Sequence, residues 1–237
     1  MADCLNCGST LETRRFCAEC GQSGAVARLG WRDIVTHLRD QLFDGNLPWL
    51  RTVRELTVDP GGLPRRFVAG RRSAYVHPLK YAFYTILLYS LLTTGPGAAA
   101  PAPDLPAWRN ALAVNLPVFL LLVTPVAVAS LRICFARTRI NTVETWAFVL
   151  YVLGHISLFY LLHRVVTTAL RIFGPLGDTA QLVLGMAAMF VPLVYFMVAT
   201  TRFYDVRLYY ALLGALVATV ATAAAGVYLW VWLVGGF

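Results

Sequence analysis

Long apolar blocks separated by short polar stretches dominate the chain from residue 75 onward. They lie at 75–94, 111–133, 143–170, 180–200 and 208–234, and each reaches the ~20 residues that a helix needs to cross a bilayer. The pattern predicts five membrane-spanning helices, of which the third and fifth are long enough to tilt or to enter a headgroup region. Upstream, apolar positions recur at helical spacing instead. Trp31, Ile34, Val35, Leu38 and Leu42 share one face, with Arg32, Asp33, Thr36, Arg39 and Asp40 opposite, until Gly45, Asn46 and Pro48 stop the helix. Leu47, Leu50, Val53 and Leu56 repeat the pattern in a shorter helix closed by Asp59-Pro60-Gly61-Gly62. Both helices are expected on the membrane surface or against the cytoplasmic ends of the spans.

The first 24 residues show neither pattern and carry the strongest chemical signal. Cys4-Leu5-Asn6-Cys7-Gly8 and Cys17-Ala18-Glu19-Cys20-Gly21 are two matching knuckles. Each places two thiols on one tight turn, and the glycine lets the backbone curl around a metal. Four sulfurs suit tetrahedral zinc; iron and disulfides are the rival uses. The short gap between knuckles favours a miniature zinc ribbon, and a reducing cytoplasm disfavours disulfides. The first thirty residues lack the basic-then-apolar order of a secretory signal, so the ribbon is expected in the cytoplasm. Cys134 stands alone and reads as a small buried apolar residue. The expected fold is therefore an all-α multi-pass membrane protein: zinc ribbon 1–24, interfacial helical segment with a basic rim 25–74, and five-helix transmembrane bundle 75–237.

Composition agrees. With 58% hydrophobic and 14% charged residues, the chain lacks the polar surface of an ordinary soluble domain. Its net charge of +8 is almost all arginine, Lys80 being the one lysine. Arg65, Arg66, Arg71, Arg72 and Tyr75 form a rim suited to anionic inner-leaflet lipids. Arg132, Arg137 and Arg139, then Arg202 and Arg207, mark two later loops as cytoplasmic, against Arg164 and Arg171 on the far side. The balance predicts a cytoplasmic N-terminus and an external C-terminus. The ribbon offers only Arg14 and Arg15 to phosphate, so nucleic acid is not an expected partner.

A more specific likeness emerges from the order of several motifs. The knuckles ending in Cys20-Gly21-Gln22 precede Arg51-Thr52, Leu56, Asp59-Pro60-Gly61, Gly70-Arg71-Arg72, Tyr75 and His77-Pro78. This order resembles a bacterial membrane family catalogued as domain of unknown function 3667, over roughly the first ninety residues. The resemblance implies a zinc-ribbon-headed multi-pass protein of the bacterial inner membrane. It implies no activity.

Within the spans, His155 lies near the middle of the third, with Tyr151, Phe159 and His163 on the same face. A neutral histidine bonded to a serine, threonine or tyrosine of another helix is the structural reading; a polar site for a solute or proton is the functional one. Lys80 and Glu144 fall near span ends, where snorkelling or an interfacial pair explains them. Asp33, His37 and Asp44 share a wheel sector but complete no ligand set, and read as a solvated face. Gly214, Ala218, Thr222 and Gly226 make a small-residue stripe for helix contact, internal rather than between copies, although a homo-oligomer remains an option. No phosphate loop, metalloprotease helix or serine elbow is present, and a four-cysteine zinc site has no open position for water. The favoured function is a non-enzymatic scaffold or regulator whose ribbon engages a cytoplasmic protein or the bilayer surface. The alternatives are a small-solute or ion transporter around His155 and an enzyme acting on lipid headgroups at the arginine rim.

Overall fold

The computed structural model of the chain describes residues 2–11, 16–24, 26, 28–31, 48–94, 107–172, 174 and 177–235, with side chains described except at 2, 94, 107–120 and 230–235. Asp33, His37 and Asp44, and most of the first amphipathic helix, lie outside these residues. In chain order the elements are β1 (Ala2–Asp3), β2 (Thr10–Leu11), α1 (Trp49–Val58), α2 (Gly62–Val68), α3 (Pro78–Thr94), α4 (Ala107–Cys134), α5 (Thr142–Ile172), α6 (Asp178–Tyr204) and α7 (Leu208–Gly235). The two short strands pair antiparallel, Ala2 with Leu11 and Asp3 with Thr10.

Helix α5 is the axis. Its first half is buried from Val143 to Ser157 with few breaks, against α3, α4, α6 and the short α1 and α2. One core cluster joins Leu56, Leu63 and Phe67 of α1 and α2 to Tyr81, Ala147 and Tyr151. A second joins Val128 and Leu131 of α4, and Phe135 just after it, to Phe148, Phe203 and Ala218, with Phe148 stacked on Phe203 at 4.4 Å. Helix α7 packs on α4 and α6. Gly214, where an added Cβ would lie 2.4 Å from the Phe135 ring, and the buried Ala211, Ala215 and Ala218 give the small-residue face its use inside the chain.

Among the described residues, three helices are long and apolar enough to cross a membrane: α5, α6 and the 208–229 part of α7. In their most apolar stretches 61% of α5 is buried, but only 17% of α6 and 22% of α7, so the latter two turn leucine, valine and methionine outward. Such a surface suits lipid better than water. Helix α3 is shorter than expected, 17 residues beginning at Pro78. The helix starts late because the Val76 backbone is bonded elsewhere: its N–H donates to Thr52 Oγ1 at 3.1 Å and its carbonyl accepts from the Tyr151 hydroxyl, while His77 O accepts from Tyr81 N–H at 2.8 Å as the first helical bond of α3.

The start of α5 is built by a reciprocal cap. Asn141 Oδ1 accepts from Glu144 N–H and Glu144 Oε2 accepts from Asn141 N–H, both at 2.7 Å, which satisfies two amides at the helix terminus. Glu144 is buried and also receives Arg28 Nε at 2.8 Å. Arg65 meets Asp205 and Arg202 meets Asp59 across to the α6–α7 turn. The ribbon's tail, α1, α2 and the α4–α5 and α6–α7 turns therefore gather at one end of the helices. Arg132, Arg137, Arg139, Arg202 and Arg207 lie at that end; Arg164 and Arg171 lie toward the other.

Candidate functional site

Each knuckle is closed the same way. Gly8 N–H bonds Cys4 O at 2.8 Å and Gly21 N–H bonds Cys17 O at 3.0 Å, with the glycines at φ +78° and +70°. That is the left-handed region where a side chain would be strained. Cys4 N–H reaches Ser9 O and Cys17 N–H reaches Gln22 O, both at 2.8 Å. The turns bring the four sulfurs within 4.8 Å of one another, Cys4 to Cys20 at 3.6 Å and Cys7 to Cys17 at 3.5 Å. Zinc–thiolate bonds of ~2.3 Å imply sulfur–sulfur edges of ~3.8 Å in a tetrahedron, so the donor set fits one four-coordinate ion. Ser9 Oγ sits 3.0 Å from both Cys7 and Cys17. The Cys17 thiol is pulled down to about 6, first by that hydroxyl and then by the Cys20 amide, which favours the thiolate a metal needs.

The ribbon is seated on the helices rather than suspended from them. Gln22 is buried, donates from Nε2 to Gly70 O at 2.9 Å, and accepts at Oε1 from Arg72 N–H, Ser73 N–H and the Ser73 hydroxyl. Gly70 ends α2 in a Schellman turn: its N–H bonds Phe67 O, and Arg71 N–H bonds Arg66 O. Its φ is +114°, and a Cβ there would come within 2.7 Å of Leu5 of the first knuckle.

Below that contact lies a second polar cluster. Arg66 donates to Asp59 at 2.8 Å, to Glu55 at 3.0 Å and to the Tyr75 hydroxyl at 3.1 Å, while Tyr75 O–H donates to Glu55 at 2.8 Å. Arg51 and Arg202 complete it on Glu55 and Asp59. Burial works against both carboxylates, but the hydrogen bonds from Tyr75, Arg51 and Arg66 to Glu55, and from Arg66 and Arg202 to Asp59, outweigh it. Both carboxyls are held below their usual range.

Residues 49–90 match the family described as Protein of unknown function (DUF3667). No curated protein and no solved structure matches the chain. The DUF3667 segment thus spans α1, α2, loop 70–77 and most of α3, and it contains the whole Glu55–Asp59–Arg66–Tyr75 cluster. Its glycines are packing positions as well: a Cβ on Gly61 would lie 2.3 Å from Ala199 O of α6.

The DUF3667 helices also reach His155. Thr57 Oγ1 gives its one proton to Val53 O at 2.8 Å, so toward His155 Nε2, 3.1 Å away, it acts as acceptor. The ring therefore carries its proton on Nε2, and Nδ1 accepts from the Tyr81 hydroxyl at 2.8 Å. Tyr195 stacks on the imidazole and donates to Leu56 O at 3.1 Å, and Arg202 reaches Val58 O at 3.2 Å. Two carbonyls of the last turn of α1 that lack helical partners are thereby satisfied from α6.

Of the other residues singled out in the sequence, Tyr151 bonds Val76 O rather than His155. His163 lies beyond Phe159 beside Arg164, Thr167, Thr168 and Arg171, around a cavity of about 380 Å³ near the far end of α5. In the arginine rim, Arg65 is half exposed and paired with Asp205, whereas Arg66 and Tyr75 turn inward to the carboxylates. Arg71 and Arg72 are partly buried beside the ribbon's seat. Gln22, Arg28, Thr57, Glu55 and Asp59 carry as much of the arrangement as any residue chosen from the sequence. Only the Asn141-Thr142-Val143-Glu144 spacing announced its role locally.

Proposed function

We propose that this chain is a non-enzymatic scaffold or regulatory protein of the bacterial inner membrane, with α3–α7 as five spans and one structural zinc ion on Cys4, Cys7, Cys17 and Cys20. The observation that carries the reading is a sulfur cluster with all four positions filled by protein, seated on the arginine-rich end of an apolar helix bundle. A saturated site folds a small module and leaves no position for a reacting water. The excess of arginine at the ribbon's end supports a cytoplasmic N-terminus and an external C-terminus. Arg65, Arg71 and Arg72 are the candidates for anionic inner-leaflet headgroups, while the exposed Phe16 and Leu5 offer an apolar contact to a cytoplasmic protein.

The transporter reading finds less support, because both nitrogens of His155 are engaged by Tyr81 and Thr57. The headgroup-enzyme reading is weakened in the same way, since Arg66 and Tyr75 are committed to Glu55 and Asp59. The test is affinity capture from gently solubilised membranes, comparing the wild type with a variant whose four knuckle cysteines are serine and whose membrane insertion is equal. The expected result is a protein partner lost together with the zinc. An identical partner and lipid set in both would overturn the docking role.

A further inference from the structure

Gln22 occupies a position that neither the metal site nor the helices explain alone. Its backbone belongs to the second knuckle, because Cys17 N–H is bonded to its carbonyl at 2.8 Å. Its side chain belongs to the DUF3667 loop, holding Gly70 O, Arg72 N–H and Ser73 N–H at 2.9–3.2 Å. From there the loop runs directly into buried contacts: Tyr75 O–H to Glu55, Val76 N–H to Thr52, and Tyr151 O–H to Val76 O.

We propose that Gln22 couples loading of the four-cysteine centre to the order of loop 70–76, making the ribbon a metal-dependent clamp on the DUF3667 segment. This rests on the reading of the cysteines as a metal centre. The physical reason is the small size of the ribbon. A module of some twenty residues has almost no core of its own, so the metal supplies the order of its turns. When the second knuckle opens, the Gln22 backbone is no longer fixed. A side chain that makes four hydrogen bonds in one place then loses its register. The Ser73 amide then loses its Gln22 acceptor to water, and the Arg72 amide is left with Gly70 O alone at 3.0 Å. The chain beyond the ribbon stays attached, because Arg28 pairs with Glu144 and Leu29 is buried with its carbonyl on Asn141. Release is therefore local to loop 70–76 and does not free the whole N-terminal segment.

Hydrogen exchange on the full chain in lipid nanodiscs tests the coupling, with zinc bound or stripped by a strong chelator under reducing conditions, in wild type and Gln22→Ala. Metal content is measured in the same samples. In the wild type, stripping should accelerate exchange at the Arg72 and Ser73 amides by about tenfold, with a smaller effect at Val76. In Gln22→Ala, zinc should be retained, the same amides should already exchange quickly, and stripping should add little. Loop exchange indifferent to metal in a wild type that binds it, or wild-type protection in Gln22→Ala, overturns the clamp alone. A reduced wild type that binds no metal overturns the metal centre itself and the coupling with it.

Discussion

Thr57 and His155, 98 positions apart in the chain, are joined by a hydrogen bond of 3.1 Å in which the imidazole donates. The contact fastens the end of α1 to the end of the buried half of α5, and with Tyr81 on Nδ1 it leaves both ring nitrogens occupied. Thr57→Val keeps the shape and leaves the Nε2 proton without an acceptor, which should cost about 1–3 kcal/mol. His155→Leu removes the donor too, so the double variant should be less destabilised than the sum of the two single ones. Denaturant unfolding in detergent, read across the four proteins, measures this. Strict additivity would mean that the pair does not interact.

The carboxylates of α1 and its turn predict an acid limb of stability. Glu55 and Asp59 have folded values depressed below their unfolded ones, so the unfolded chain binds protons first as pH falls. Their contribution is complete above the ordinary carboxylate range near pH ~4 and is lost as pH drops through the depressed values. Thermal unfolding between pH 7 and 3 should show a steeper loss in the wild type than in Glu55→Gln/Asp59→Asn, which starts less stable. Parallel profiles would remove this role for the pair.

Gly61 predicts a steric effect free of backbone strain. Its φ is −97°, so alanine can adopt it, yet a Cβ would meet Ala199 O at 2.3 Å and Phe203 N at 2.6 Å. Those atoms are helix backbone and cannot step aside. Gly61→Ala should lose about 1–3 kcal/mol by pushing α2 from α6. Gly185→Ala on the outward face of α6, with nothing within 4 Å, should be neutral or slightly stabilising. Unfolding midpoints of the two variants provide the comparison.

How legible these features were depends on range. The apolar blocks at 143–170, 180–200 and 208–234 foreshadow α5, α6 and α7 because long apolar runs of that length have few other solutions. The knuckles announce a metal site because cysteine spacing and glycine turns act within five residues. Arg66 and Tyr75 are different. Next to a long apolar block they look like headgroup anchors, and only the return of α1 beneath them supplies Glu55 and Asp59. Helix α3 begins at Pro78, three residues into the apolar block, for a related reason. Tyr75, Val76 and His77 are apolar or aromatic enough to extend the block, but the Val76 backbone is bonded to Thr52 and Tyr151. The side-chain role of Gln22 has no local sign, although Cys20-Gly21-Gln22 is among the motifs that carry the resemblance. Its partners lie 48 to 51 positions away, in a loop whose shape is set by the Schellman turn at Gly70.

The same cap logic gives a further prediction at the head of α5. Asn141→Ala removes the acceptor for Glu144 N–H and should destabilise by about 1 kcal/mol. It should also loosen Arg28, whose partner Glu144 is oriented by that cap. Increased proteolysis at Arg28, relative to a distant arginine, would register the loosening; an unchanged cleavage pattern would separate the two contacts.

One zinc ion on Cys4, Cys7, Cys17 and Cys20 of the folded chain is the proposal on which the docking role and the clamp both rest. The direct measurement is the metal and thiol content of wild-type protein purified from membranes under mild reduction, by elemental analysis and thiol titration. One zinc per chain, with the four knuckle thiols protected until the metal is chelated, is the predicted result. A protein with no bound metal and with its knuckle cysteines oxidised to disulfides would contradict it.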